Sequence, residues 1–200
     1  MSDAISKPCT VFDGTRRLAS GPLSEVAVHF KKAVEKGGGS AFLFDDTTGR
    51  AFDIDIRGTA GEMLARLQRM FSNARAGEER GPGRPKLGVV AREVTLLPKQ
   101  WEWLAAQPGG ASVTLRKLVD EARRGPKARS RAARDAAYHF MSAMAGDREG
   151  FEEASRALFA DDRGRLATLI APWPKDIREH VMRLLSGEMV RAGEAAMRPA

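Results

Sequence analysis

The sequence predicts an α+β protein, and three observations carry that expectation. Ala51-Phe52-Asp53-Ile54-Asp55-Ile56 alternates apolar and charged residues with the period of a half-buried strand. Leu23, Val26, Ala27, Phe30, Ala33 and Val34 recur at helical spacing. The last third of the chain repeats helical spacing throughout. With 42% hydrophobic residues in a 200-residue chain, one or two packed cores are within reach.

The first region spans 9–72, read as strand, helix, strand, strand, helix. Thr10-Val11-Phe12 begins an extended segment that turns at Asp13-Gly14 and returns through Arg17-Leu18-Ala19. A helix starts at Ser20-Gly21-Pro22, and Gly37-Gly38-Gly39 ends it. A hairpin then pairs Ala41-Phe42-Leu43-Phe44 with 51–56, placing Phe52, Ile54 and Ile56 on a core and Asp53 and Asp55 away from it. A second helix from Ala60 to about Phe71 carries Met63, Leu64, Leu67 and Phe71 on one side.

Residues 73–88 form a basic linker rich in glycine and proline. Within it, Gly83-Arg84-Pro85-Lys86 resembles the core of an AT-hook, in which an extended Gly-Arg-Pro places arginine in the minor groove. Pro82 stands where such hooks usually carry another arginine. Arg84 and Lys86 are therefore expected as phosphate or minor-groove contacts, with an ordinary tether as the alternative.

Residues 89–124 read as one short strand followed by two helices. On the strand, Val90, Arg92, Val94 and Leu96 share one side, and Ala91, Glu93, Thr95 and Leu97 the other. Pro98 opens the first helix, Gln107-Pro108-Gly109-Gly110 breaks it, and the second runs from about Ala111 to Arg124 with Val113, Leu115, Leu118, Val119 and Ala122 as its apolar residues. A lone strand cannot make a sheet, so it needs a partner, most simply the same strand of a second copy. This layout resembles a ribbon-helix-helix dimer. The resemblance implies paired strands in the DNA major groove and a phosphate at the amino end of the second helix.

On that reading Arg92 and Thr95 are the base-facing candidates and Ser112 lies at the phosphate-binding helix end. Both registers carry a misfit. If Thr95 faces DNA, Glu93 goes with it; if Arg92 does, Val94 and Leu96 follow and Glu93 is buried. A strand that pairs only to dimerise, or that completes a sheet within the chain, is the alternative.

Charge singles out the same segment. Residues 75–134 hold 14 Lys and Arg against 6 Asp and Glu, a net of +8, whereas 1–74 carry +1 and 135–200 carry −2. A basic excess confined to one segment is the footprint of a polyanion-binding surface. The remaining region, 128–190, is read as helical, following a basic link at Gly125–Ser130. Ala133, Ala137, Phe140, Met141 and Met144 mark one helix; Phe151, Ala154, Leu158 and Phe159 another; Ile177, Val181, Leu184 and Leu185 the last. Its Met and Phe residues read as core rather than as a ligand surface.

Catalytic signals are weak, and the chain is not expected to be an enzyme or to carry a cofactor. His29, His139 and His180 are far apart and begin no metal-binding pair. Asp45-Asp46 and Asp53-x-Asp55 are explained by turn chemistry and strand alternation before a hard cation is needed. Gly37-Gly38-Gly39-Ser40 follows a helix, the wrong order for a phosphate loop. Cys9 is the one cysteine, so no intrachain disulfide forms. No apolar run is long enough to span a membrane and the amino terminus lacks a signal-peptide layout, which points to the cytoplasm.

The segments TVFDGTRRLASG, GRPKLGVVAREVTLLP, WEWLAAQPGGASVTLRKLVDEARR and AAYHFMSAMAGD resemble an uncharacterised bacterial family known only as a domain of unknown function. That resemblance covers nearly the whole chain and implies no activity. The expected function is therefore that of the central segment: a homodimeric DNA-binding protein, a transcriptional regulator. The alternative is a protein-interaction or scaffold protein whose central segment only dimerises. The sequence does not indicate whether a small-molecule effector is sensed.

Overall fold

The computed structural model describes residues 3–37, 40–76, 90 and 92–187, and these sort into two units. One combines Met1–Arg75 with Ser130–Ala200, and the other is Ala76–Arg129. The architecture is α+β, as the sequence predicts, with a small antiparallel sheet and eight α-helices among the described residues.

The first unit is built on strands β1 (Pro8–Asp13), β2 (Arg16–Pro22), β3 (Ala41–Asp45) and β4 (Arg50–Ala51), in the order β2-β1-β3-β4. The central strand β1 is buried on both faces: Cys9, Thr10, Val11 and Phe12 are all sealed from solvent. Cys9 and Val11 face helices α1 (Leu23–Glu35) and α2 (Ala60–Ala76), packing with Leu23, Val26, Ala27, Phe30 and Leu43. Phe12 and Phe44 point the other way, into a second cluster. Alternation along each strand thus feeds two cores from one sheet. Between Val11 and Phe12 the pairing slips, because Val11 faces Ala19 while Phe12 faces Arg17, leaving Leu18 as the extra residue of a bulge.

The second cluster is filled by the carboxy-terminal helices. These are α5 (Pro126–Ala145, of which Ser130 onward belongs to this unit), α6 (Phe151–Phe159), α7 (Arg163–Leu169) and α8 (Lys175–Ser186). Phe12, Phe44 and Phe140 form an aromatic triangle with centroids 4.9 to 6.0 Å apart. Ala137, Met141, Leu166, Ile177 and Val181 surround it. Residues 9–72 and 128–190, which the sequence sets apart as two regions, contribute to one core here. Apolar residues on the second sheet face require that cover.

Helix boundaries follow local chemistry. Thr59 and Glu62 form a capping box on α2: Thr59 N–H donates to Glu62 Oε2 at 2.7 Å, and Glu62 N–H donates to the Thr59 hydroxyl at 3.3 Å. The Thr59 amide and hydroxyl hold the Glu62 carboxyl below its ordinary pKa. Asp162 caps α7 by accepting from Arg165 N–H at 2.9 Å.

Three boundaries differ from expectation. The strand expected over 51–56 ends at Ala51 after Phe52 N–H donates to Leu43 O at 2.9 Å. Its later carbonyls are taken by side chains instead of a neighbouring strand, Lys31 Nζ on Ile56 O at 2.7 Å and Arg66 on Asp55 O at 3.1 Å. Phe52, Ile54 and Ile56 still pack on the first core. Helix α2 continues to Ala76, so 73–76 are helical rather than linker; Ala74, Arg75 and Ala76 are good helix formers, and Gly77 follows. The basic link expected at Gly125–Ser130 is the first turn of α5, because Pro126 fits the first helical position.

The second unit holds helices α3 (Pro98–Ala105) and α4 (Gly110–Arg124). Gln100 Oε1 accepts from Leu97 N–H at 2.9 Å at the start of α3. Leu104 is buried, while α4 buries none of its residues in the single chain. The expected strand falls on 89–97, of which Val89 and Ala91 lie outside the described residues. Residues 92–97 belong to no strand in the single chain. A strand forms only against a partner, and among the described residues these six have none.

Candidate functional site

Surface chemistry is concentrated in the second unit. Ala76–Arg129 holds 11 Lys and Arg against 6 Asp and Glu, a net of +5 within a chain total of +7. Among the described residues ten large apolar side chains are exposed, and seven of them are Val90, Val94, Leu97, Trp101, Trp103, Leu118 and Val119 of this unit. Val90 is 75% and Leu97 67% exposed, values that a finished core does not leave.

Arg92 and Thr95 are exposed and lie on the segment before α3. Ser112 is exposed in the first turn of α4. That helix starts after Gly109 in the left-handed region (φ 90°), with no side-chain cap. Gly110 N–H donates to Gln107 O at 3.0 Å, whereas the amides of Ala111 and Ser112 have no acceptor among the described residues. Arg84 and Lys86 lie outside the described residues.

The first unit holds a polar site that sequence spacing does not reveal. Asp46 and His180 side chains are both fully buried, with Nε2 3.3 Å from Oδ1. The Thr10 hydroxyl donates to Asp46 Oδ2 at 2.9 Å; having one proton, it accepts from the Ser20 hydroxyl, 3.0 Å away. Arg183 stands 4.0 Å from the same carboxylate. His180 is clasped by Phe140 and Phe12, with centroids at 4.4 and 5.4 Å. The pair faces no solvent, so it meets no substrate in this structure and ties α8 to the sheet. Thr10, Asp46 and His180 are far apart in sequence and meet because α8 side chains pack with Phe12 and Phe44 of the sheet.

His139 makes a second link of the same kind. Its Nδ1 is 3.0 Å from Thr48 O and its Nε2 2.9 Å from Arg50 Nη2, which suits an imidazole with its proton on Nδ1. The β3–β4 turn is thereby pinned to α5. Beside it Gly49 has φ 66°, and a Cβ there would lie 1.8 Å from Ala136 O. Only glycine fits that approach.

Asp45 finds an ordinary role. Asp45 accepts from the Thr47 amide and hydroxyl at 2.8 and 2.6 Å, a turn arrangement, and pairs with Lys7 at 3.3 Å. Among the described residues no three His, Cys, Asp or Glu side chains gather as a metal site. Burial pushes the Cys9 thiol up to about 12, with Asp45 and Asp46 adding and Lys7 opposing.

A family model matches residues 8–185, and the chain belongs to that family, described as an uncharacterized protein conserved in bacteria (DUF2239). No curated protein and no solved structure matches the chain. Among the described residues no helix is long and apolar enough to cross a membrane.

Proposed function

We propose that this protein binds DNA as a homodimer through its central unit, acting as a transcriptional regulator. The observation that carries the reading is the coincidence of two surplus properties in Ala76–Arg129: most of the net positive charge and most of the exposed large apolar side chains. Exposed apolar residues call for a protein partner, and positive charge for a polyanion. A ribbon-helix-helix dimer uses both at once. Pairing of 92–97 with its copy covers Val94 or Leu97, according to register, while the apolar residues of α3 and α4 pack against the partner's.

In this reading Arg84, Lys86 and the amino end of α4 at Ser112 hold phosphates, and Arg92 or Thr95 meets base edges. The phosphate roles rest on charge and free amides and do not depend on strand register. The second reading, a scaffold protein that dimerises without DNA, is favoured by Glu93 and Val94, which are unusual on a base-reading strand.

A mobility-shift titration with a generic duplex separates the two. With six or more phosphates neutralised, affinity falls about a thousandfold or more between roughly 50 and 200 mM salt. Changing Arg84 and Lys86 to Ala lowers the salt slope by about two. Absence of binding at low salt ends the DNA reading, and a monomeric mass in solution ends both.

A further inference from the structure

An open cleft of about 600 Å³ lies in the first unit, on the side of α1. His29 and Lys32 contribute from α1 and Lys36 from its C-cap, at spacings of three and four that place them on one side of the helix end. Arg16 joins them from the start of β2, and Asp13 from the end of β1. Leu18 and Ala33 supply apolar surface between the charges.

The cations are the unusual part. Among the described residues Arg16, Lys32 and Lys36 have no carboxylate partner, whereas the adjacent Lys31 pairs with Glu35 at 2.6 Å. Lysines in a last helical turn complement the macrodipole, which accounts for Lys32 and Lys36 singly. It does not account for Arg16, which comes from the sheet and lines the same cleft. Three full positive charges exceed the half charge of the helix end and the single carboxylate of Asp13 together.

We infer that this cleft binds a small phosphorylated sugar, free or as part of a nucleotide. Arg16 presents a planar fork suited to two phosphate oxygens, and Lys32 and Lys36 add point charges. Asp13 already accepts from the Ser40 hydroxyl at 2.8 Å and keeps lone pairs for a sugar hydroxyl of the ligand. The volume is in the range of small-molecule sites, roughly 300 to 1,000 Å³. A convex duplex would touch the rim of such a concavity and leave Leu18 and Ala33 uncovered. The inference does not depend on DNA binding, since no residue of the central unit takes part.

The test is calorimetric titration of the full chain with ribose 5-phosphate, pyrophosphate and ribose, for the native protein and for Arg16→Ala/Lys32→Ala/Lys36→Ala. Ribose 5-phosphate should saturate, pyrophosphate should bind more weakly, and ribose should not bind. Each lost charged contact should weaken ribose 5-phosphate roughly tenfold. All three side chains reach solvent, so an unchanged thermal melt verifies that the variant folds, and the single variant Lys36→Ala provides a milder step. No saturation by ribose 5-phosphate up to about 10 mM overturns the site. So does undiminished binding by the triple variant. Pyrophosphate binding as tightly as ribose 5-phosphate overturns the sugar. Loss of duplex binding in the triple variant, with no small phosphate bound, assigns the cations to a nucleic-acid backbone instead.

Discussion

Phe140 and Trp103 are both large aromatic residues on helices, yet one is sealed in a core and the other is 52% exposed. The contrast holds for their units. In the first, every face of the sheet has a cover, and even the polar pair Asp46 and His180 is enclosed. In the second, a two-helix hairpin keeps Leu104 inside and leaves most of its apolar surface open. A single two-helix hairpin cannot close a core around itself. The first unit closes its cores within one chain, and the second leaves most of its large apolar side chains in solvent.

Four substitutions probe that difference, from the greatest loss of stability to the least. Phe140→Ala removes the centre of the aromatic triangle, and core truncations of this kind cost about 3–5 kcal/mol. Denaturant unfolding followed by circular dichroism reads the loss directly. A cost below about 1 kcal/mol would mean that the carboxy-terminal helices are not held on the sheet as described.

Asp46→Asn acts on the enclosed polar site. The neutral amide can still receive the Thr10 proton, but it loses the charge facing Arg183 and His180. Removing the charge that the Thr10 hydroxyl donates to and the Arg183 guanidinium faces costs up to about 3 kcal/mol. A double cycle with His180→Gln should show coupling of about 1 kcal/mol or more, because the two side chains meet at 3.3 Å. Strict additivity would show that the two side chains act independently.

Gly49→Ala tests the turn that meets α5. The new methyl would meet the Ala136 carbonyl, and the left-handed backbone alone costs about 1–2 kcal/mol for a residue with a Cβ. Together these should lower stability by about 2–3 kcal/mol. By contrast, Gly14→Ala at φ 53° meets no atom within 4 Å, so it should cost only the backbone part. Equal losses at both positions would remove the contact with Ala136 from the account.

How much of this was legible in the sequence differs between the units in an instructive way. Most strand and helix positions from Thr10 to Phe71 follow from alternation and helical spacing, the exception being 52–56, which alternate but form no strand. The double-sided sheet does not, although Phe42-Leu43-Phe44 and Val11-Phe12 hint at it: consecutive apolar residues in a strand imply cover on both faces. That cover comes from residues more than a hundred positions later, which no local pattern identifies. The same distance hides His180 from Thr10 and Asp46. For the central unit, local signals reach as far as α3 and α4. The strand remains an expectation, since residues 92–97 pair with no strand in the single chain.

The smallest change in stability should come from the residues that best define the second unit. Leu118 and Val119 are 43% and 54% exposed on α4, in a helix that buries nothing. Changing both to Ser removes apolar surface already in water, so unfolding of the isolated chain should shift by no more than about 0.5 kcal/mol. If these side chains meet a second copy, however, each buried there contributes about 1.5 kcal/mol or more to association. The double variant should then lose its dimer mass in light scattering, and duplex affinity should fall with it. A double variant that stays dimeric and binds duplex undiminished would place the partner elsewhere and leave α4 without its assigned role.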